Sequence, residues 1–377
     1  MSRLFLYDTS NFTDFPIGGQ LTSIHNFLHY IADNHPDRMK DIILVGLTLD
    51  EETIGRMQRV NLFGHKVKYY PVMLGEKDLN KTTKSIRVQY VKGMLKHVGK
   101  LAIRKHDVNY INTPEAYAAL MVKCPWAQHV AFSHQNYFEM VKSFRFYQDK
   151  QWVLKGFDAY LKHMVKKMNL IFVLNKACEE EYQKHHGKTM RVVNSIVCPD
   201  DVSIGEASHH RMIFVGRLSL NKGIEPIIRA VLSMPEEYSL TIVGDGEEYN
   251  NLIHYARNER IRFTGAVTPE KVREHLGASD ILIMNSGFEG LPMTILEAQS
   301  LGLPVVTTDV GGIGEAVHYG DDAEKTDGTP DSIAEAIQKI ENNYERYSLN
   351  ALANAKRFDY REVNAPIYEA LSQYWRE

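Results

Sequence analysis

The sequence has little cysteine and no long apolar segment. Its three cysteines, Cys124, Cys178 and Cys198, show neither metal-ligand spacing nor a disulfide framework, so a reduced cytoplasmic setting fits them best. No apolar run approaches the roughly 18 residues of a membrane-spanning helix. The N-terminus turns polar by Asp8, too early for a signal peptide, and predicts a first strand instead. We therefore expect a cytoplasmic globular protein.

Neither a low-complexity tract nor an internal repeat is evident, and 377 residues exceed the usual size of one domain. Charge is unevenly distributed along the chain. Residues 1 to 200 hold 28 Lys and Arg against 19 Asp and Glu, whereas residues 201 to 377 hold 16 against 28. Such asymmetry indicates either two domains with different partners or only a difference in surface composition. The sequence leaves both interpretations open.

Short apolar runs alternate with helical patterns, which predicts parallel sheets in an α/β fold. The first series of predicted strands is Leu4–Tyr7, Ile42–Leu47, Lys66–Tyr70, Val108–Ile111, His129–Phe132, Leu170–Leu174 and Arg191–Val193. A second series is Met212–Val215, Ser239–Val243, Ile261–Thr264, Asp280–Met284 and Pro304–Thr307. Two such series predict two Rossmann-like domains, residues 1–194 and 195–359, followed by a helix over 360–377.

The most informative motif is a pair of glutamates, Glu289 and Glu297, eight positions apart. Glu289 lies in a loop after a predicted strand, and Glu297 lies in a helix that opens after Pro292. The two carboxylates can therefore reach two parts of one long ligand. The helix start offers free N–H groups that suit an anion.

Other polar residues follow predicted strands, where ligands bind in open α/β sheets. Gly18 and Gly19 follow the first strand and let a phosphate approach backbone N–H groups. His134 follows the fifth strand. Arg217 and Lys222 lie around the first strand of the second series and can face a diphosphate.

Together these motifs resemble the retaining glycosyltransferases of family four, with their Glu-x7-Glu signature and GT-B fold. The likeness is strongest from Phe214 to Glu315. It implies two domains facing across a cleft, with the C-terminal helix crossing back to the first domain, and domain closure over the donor. It also implies a nucleotide-sugar donor, most often a UDP-sugar.

The resemblance implies specific roles. Arg217 and Lys222 would stabilise the leaving diphosphate, Glu289 and His134 would hold the sugar, and Glu297 would hold the ribose. The remaining donor-binding residues would be Gly18, Gly19, Gly216, Gly265, Val267, Phe288, Gly290, Leu291, Pro292 and Met293. We expect no metal and no other cofactor, because two cations supply the charge that a metal would provide.

Two basic stretches lie in the first half of the chain. Residues 79–106 carry eight Lys and Arg and no acidic residue, and residues 142–167 mix basic with aromatic side chains. Such segments can bind an anionic membrane surface, or an anionic glycan or lipid diphosphate, or they can simply be exposed to solvent. The sequence leaves these alternatives open. No recognition motif accompanies them, so nucleic acid is not expected.

We therefore expect a retaining hexosyltransferase that uses a nucleotide-sugar and a glycan or lipid-linked acceptor. The expected setting is bacterial surface polysaccharide or glycolipid synthesis, in the cytoplasm or at the inner face of the membrane. The alternatives are a GT-B nucleotide-sugar epimerase or phosphorylase, and a catalytically silent partner subunit. Product analysis with and without acceptor separates the first, and loss of Arg217, Lys222, Glu289 or Glu297 would have indicated the second.

Overall fold

The chain forms two compact units in the computed structural model. The model describes residues 2–13, 19–75, 86–134, 138, 151–202, 210–289 and 291–376. Unit 1 comprises Met1–Val193 and Val363–Glu377, and unit 2 comprises Asn194–Glu362.

Unit 1 is built on an eight-stranded sheet with the order β3-β4-β2-β1-β5-β6-β7-β8. Its strands are β1 Leu4–Tyr7, β2 Ile42–Thr48, β3 Gln58–Leu62, β4 His65–Leu74, β5 Val108–Ile111, β6 Gln128–Ser133, β7 Leu170–Val173 and β8 Thr189–Arg191. Every residue of β2 is buried. Such continuous apolar runs are typical of parallel strands covered on both faces.

Helices cover both faces of this sheet. The described helices of the first 193 residues are α1 Gly19–Asn34, α2 Ile86–His97, α3 Pro114–Lys123, α4 Gln151–Lys167 and α5 Lys176–Lys184. One core holds side chains of α2, α3 and α4, such as Met94, Leu120 and Leu161. The other holds α1 together with Ile367 and Trp375 from the C-terminal segment. The C-terminal residues thus complete the core of unit 1.

Two strands of unit 1 differ from the sequence prediction. β3 pairs with β4 in antiparallel register, and the sequence predicted no strand there. Its residues alternate between partly buried and exposed, because an edge strand of this kind needs no continuous apolar run. β8 ends at Arg191, where the sequence predicted a strand from Arg191 to Val193.

Unit 2 contains a six-stranded parallel sheet with the order β11-β10-β9-β12-β13-β14. Its strands are β9 Arg211–Val215, β10 Ser239–Val243, β11 Ile261–Gly265, β12 Ile281–Met284, β13 Val305–Thr307 and β14 Ala323–Lys325. The helices are α6 Ile224–Ser233, α7 Tyr249–Tyr255, α8 Pro269–Gly277, α9 Met293–Gln299, α10 Ile313–Ala316, α11 Pro330–Glu341, α12 Tyr344–Ala355 and α13 Tyr360–Ser372. Residues of α13 from Val363 onward belong to unit 1.

Strand order reverses once near the middle of each sheet. In unit 1 the chain winds outward in one direction from β1 and in the other from β5, and these two strands are neighbours. In unit 2 the reversal lies between β9 and β12. Open α/β sheets bind ligands beyond the carboxyl ends of the strands at such reversals. A ligand-binding site is therefore expected among the residues that follow these four strands.

Candidate functional site

In unit 2, the loops after β9 and β12 bring together the side chains that we call the unit 2 cluster. Its members are Lys222, Ser286 and Glu289, with Asn285 supporting them. Lys222 Nζ binds Glu289 Oε1, and Ser286 Oγ donates to the same oxygen at 2.7 Å. The Lys222 and Glu289 side chains are only 21% and 14% exposed. A half-sheltered pair of this kind is more strongly coupled than a surface pair.

Asn285 holds the two loops at a fixed spacing. Its Nδ2 donates to the carbonyls of Gly223 at 3.0 Å and Gly328 at 3.2 Å. Gly223 has φ +52°, and a Cβ there would lie 2.6 Å from the Asn285 carbonyl oxygen. Only glycine permits both the backbone angle and the close approach. Lys222, the preceding residue, is positioned by this contact.

Glu289 is held from the other side by a glycine turn. Gly311 has φ +59°, and a Cβ at this position would lie 1.8 Å from the Glu289 carbonyl oxygen. The N–H of Gly312 donates to that oxygen at 3.3 Å. The backbone of Glu289 is thus packed against a turn that tolerates no side chain, which fixes where its carboxylate points.

Arg217 lies apart from these side chains and has its own acidic partner. Its Nε donates to Glu247 Oε2 at 3.2 Å, and the two side chains are 69% and 55% exposed. The pairing arises because the loops after β9 and β10 run side by side, with Leu218 N bonded to the Asp245 carbonyl at 3.0 Å.

Glu297 lies in α9 and is half-buried. Burial raises the pKa of its carboxyl to about 7, and the nearby Arg273 offsets only part of that rise. No hydrogen bond joins the Glu297 side chain to another residue in the described part of the chain. The structure therefore does not bring Glu297 into hydrogen-bond contact with Glu289, although both belong to the sequence motif.

The other predicted donor-binding residues have varied environments. Phe288 is 72% exposed, and Leu291 accepts a bond from Asn194 at 3.3 Å. Pro292 precedes α9 and Met293 begins it. The N–H of Gly216 donates to the Val243 carbonyl, where β9 and β10 end. Gly265 ends β11, Val267 is half-buried, and Gly19 begins α1, whereas Gly18 and Gly290 lie outside the described residues.

In unit 1, the strand ends at the reversal carry a second polar group, the unit 1 cluster, made of Asp8, Gln20, Asn112 and His134. His134 Nε2 lies 3.0 Å from Asn112 Oδ1, and its ring stacks on Phe132 at 4.3 Å. Burial lowers the pKa of His134 to about 3. Burial also raises the pKa of Asp8 to about 6.

Sequence reasoning identified His134, Lys222 and Glu289 but assigned no role to Asp8, Asn112, Asn285 or Ser286. What the sequence did not show was the position of these four residues in the sheet. Each of these four directly follows a strand that borders the strand-order reversal or lies within two residues of its end. Since the reversal is defined by strand order in the sheet, the sequence alone did not mark them.

Neither a metal cluster nor a spanning helix is found in the described ranges. Among those residues, no group of three or more His, Cys, Asp or Glu side chains could hold a metal ion. None of the helices described there is long and apolar enough to cross a membrane.

Comparison with known proteins assigns the region around the unit 2 cluster to a family. Residues 206–357 match the model for "Glycosyl transferases group 1". Unit 2 contains a glycosyl transferases group 1 domain. The sequence is also 33% identical over 151 residues to the O-antigen biosynthesis glycosyltransferase WbnH of Escherichia coli. That alignment spans 40% of this chain and 43% of WbnH, so less than half of either protein is compared.

Solved structures match the chain over almost its whole length. Sucrose-phosphate synthase from Thermosynechococcus elongatus superposes with a TM-score of 0.77 at 13% identity and covers 99% of both chains. HepE of Anabaena, in complex with UDP-glucose, superposes with a TM-score of 0.68 at 19% identity, covering 99% of this chain and 100% of that one. These matches confirm the predicted α/β fold of the GT-B class.

Proposed function

We propose that the protein is a retaining glycosyltransferase that moves a hexose from a nucleotide-sugar, with a UDP-sugar favoured, to a hydroxyl of a glycan or lipid-linked acceptor. The observation that carries the proposal is the Lys222–Glu289 pair, which lies beyond the strand-order reversal inside a glycosyl transferases group 1 domain. HepE is known in complex with UDP-glucose, and WbnH is named for O-antigen biosynthesis. Both relatives support this choice of substrates.

The geometry of Glu289 suits a sugar-binding role. Its Oε1 is occupied by Lys222 and Ser286, whereas Oε2 accepts no hydrogen bond from the described residues. A carboxylate oxygen of this kind can accept bonds from sugar hydroxyls. The bond to Lys222 holds the carboxylate in one orientation while it does so.

Lys222 would then act on the leaving diphosphate, together with Arg217. A cation beside a developing phosphate charge lowers the barrier to bond cleavage. The Arg217–Glu247 pair is mostly exposed, so a diphosphate can replace Glu247 at little cost. Glu297 would hold the ribose, His134 would contact the sugar, and the two cations would make a metal unnecessary.

A donor panel tests this proposal. UDP-, GDP- and ADP-sugars are screened by thermal shift and by slow hydrolysis of the donor. We expect one donor to stabilise the protein and to be hydrolysed. Lys222→Ala and Glu289→Ala should each reduce hydrolysis by about 10²- to 10³-fold.

The matched control is Lys271→Ala, which removes an exposed lysine that pairs with Glu274 on α8. It should hydrolyse the donor at the wild-type rate. A wild-type protein that responds to no nucleotide-sugar and no free nucleotide would contradict the proposed activity. Equal rates in all three variants would contradict the assigned site.

We also propose that unit 1 associates with an anionic membrane surface. Helix α4 carries Lys155, Lys166 and Lys167 as exposed residues, and Trp152 at its start is 76% exposed. On α2, Val88 and Leu95 are exposed beside Lys92. Basic helices with exposed apolar side chains bind anionic interfaces. Flotation with anionic and with neutral vesicles tests this. Failure of the protein to float with either kind of vesicle would contradict the proposal.

A further inference from the structure

The hydrogen bond between His134 and Asn112 can run in only one direction. Its Nε2 faces Asn112 Oδ1 at 3.0 Å. An amide oxygen can only accept, so Nε2 must carry the proton. A neutral imidazole has a single N–H, and Nδ1 is therefore left with a free lone pair. Asn112 thus selects the tautomer of His134.

Asn112 is itself held rigidly at the end of β5. Its N–H donates to the Tyr7 carbonyl at 3.0 Å, and its carbonyl accepts from Gln20 Nε2 at 3.1 Å. The same Gln20 nitrogen donates to Asp8 Oδ2. Asn112 is 3% exposed. The contact with His134 is therefore part of a network that spans β1, α1 and β5.

Three buried atoms of the unit 1 cluster remain without a partner among the described residues. They are His134 Nδ1, Asn112 Nδ2 and Asp8 Oδ1. Burying such groups without hydrogen bonds is costly, and each unsatisfied group needs an explanation. Here they form a mixed set of donors and acceptors at the ends of three adjacent strands, β1, β5 and β6. Sugar hydroxyls, which both donate and accept, match such a set.

We propose that Asn112, supported by Gln20 and Asp8, is a positioning residue that presents Nδ1 of His134 as a hydrogen-bond acceptor to a hydroxyl of the transferred sugar. This rests on the proposed glycosyltransferase function. Protonation of the ring would turn Nδ1 into a donor and abolish the acceptor. Burial keeps the pKa of His134 far below neutrality. Within the cluster, Asp8 interacts electrostatically with Tyr90 of α2 and Glu115 of α3, and Arg87 pairs with Glu115 at 3.0 Å.

Asn112→Asp is the informative variant. It keeps the acceptor oxygen and adds a negative charge beside Nε2, which favours the imidazolium. His134 should then titrate between about pH 5 and pH 8. The matched control is Asn109→Asp on the same strand, where Nδ2 lies 3.3 Å from Nδ1 of another buried histidine, His129. It places a new carboxylate beside a histidine outside the cluster.

The first measurement is the tautomer of His134, read from imidazole ¹⁵N shifts in protein labelled at histidine and assigned with His134→Gln. Wild type should show the Nε2–H tautomer from about pH 5 to pH 8. Asn112→Asp should show titration of this ring, and Asn109→Asp should not. An Nδ1–H tautomer, or a titrating ring in wild type, would overturn the inference without any donor being needed.

The second measurement is kcat/KM against pH for turnover of UDP-glucose, UDP-galactose and UDP-N-acetylglucosamine. For Asn112→Asp, kcat/KM should fall about tenfold per pH unit below the new pKa and recover at alkaline pH. Wild type and Asn109→Asp should share a profile without this loss. Identical profiles in Asn112→Asp and Asn109→Asp would overturn the inference. Absence of turnover in wild type would instead count against the proposed function.

Discussion

At the scale of single residues, Glu297 has the clearest measurable property. Its carboxyl has a pKa of about 7 in the folded chain against an ordinary value of 4.5. The folded state therefore binds this proton more tightly than the unfolded state. Stability is highest at low pH, falls as pH rises from about 4.5 to about 7, and is then constant with respect to this group.

Glu297→Gln removes this titration. We expect little difference in unfolding free energy from wild type near pH 4.5, where the carboxyl is protonated in the folded state. Above pH 7 the variant should be more stable, by at most on the order of 3 kcal/mol. Urea denaturation at a series of pH values measures this. Glu335→Gln, at an exposed position of α11, is the control, and the same pH-dependent gain in both variants would refute the explanation.

At the scale of elements, the turn after β13 determines where Glu289 lies. A Cβ at Gly311 would collide with the Glu289 backbone at 1.8 Å, and its φ of +59° is also unfavourable for other residues. Gly320 has a similar positive φ of +86° but open space around it. The two positions therefore separate backbone strain from steric collision.

Gly311→Ala should destabilise unit 2 more than Gly320→Ala does. Gly320→Ala should cost only the left-handed strain, about 1 kcal/mol, whereas Gly311→Ala adds a collision worth a further ~1–3 kcal/mol. It should also weaken donor binding, because the Glu289 loop must move. Chemical denaturation and thermal shift with donor measure the two effects. Equal losses in both variants would show that the close approach has no energetic role.

The strands themselves were largely predictable from the sequence. The predictions for Leu4–Tyr7, Val108–Ile111 and Ser239–Val243 are confirmed at both ends. These runs are uniformly apolar or nearly so, as strands covered on both faces must be. β3 and β14 were missed because edge strands are short and partly polar. A local hydrophobic pattern identifies a strand when most of its residues are buried, and these two edge strands are only partly buried.

At the scale of the whole molecule, the C-terminal segment is joined to the start of the chain. Trp375 is 1% exposed, its Nε1 donates to the Ser2 carbonyl at 2.9 Å, and the Arg38 guanidinium lies 4.1 Å from its ring. Ile367 and Leu371 lie in the same core. Unit 1 is therefore completed only when the last residues of the chain have been added.

Trp375→Ala should destabilise the protein by about 3–5 kcal/mol, because it removes a large buried side chain and leaves a cavity. Trp152→Ala provides a control with the same chemical change at a position that is 76% exposed, where we expect a change within about 0.5 kcal/mol. Guanidinium denaturation followed by circular dichroism measures both. A loss in Trp375→Ala as small as that in Trp152→Ala would mean that the segment does not support unit 1.

The sequence by itself predicted two α/β series, a division near residue 194 and a group of charged residues around Glu289. Each of these depends on local composition or short spacing, which a linear pattern records. Only the tertiary structure decided that Lys222 pairs with Glu289, that Arg217 pairs with Glu247 and that Asn112 selects the tautomer of His134. These contacts join residues 22 to 67 positions apart. They exist because strand order places particular strand ends side by side, and strand order follows from packing of the whole sheet rather than from any local segment.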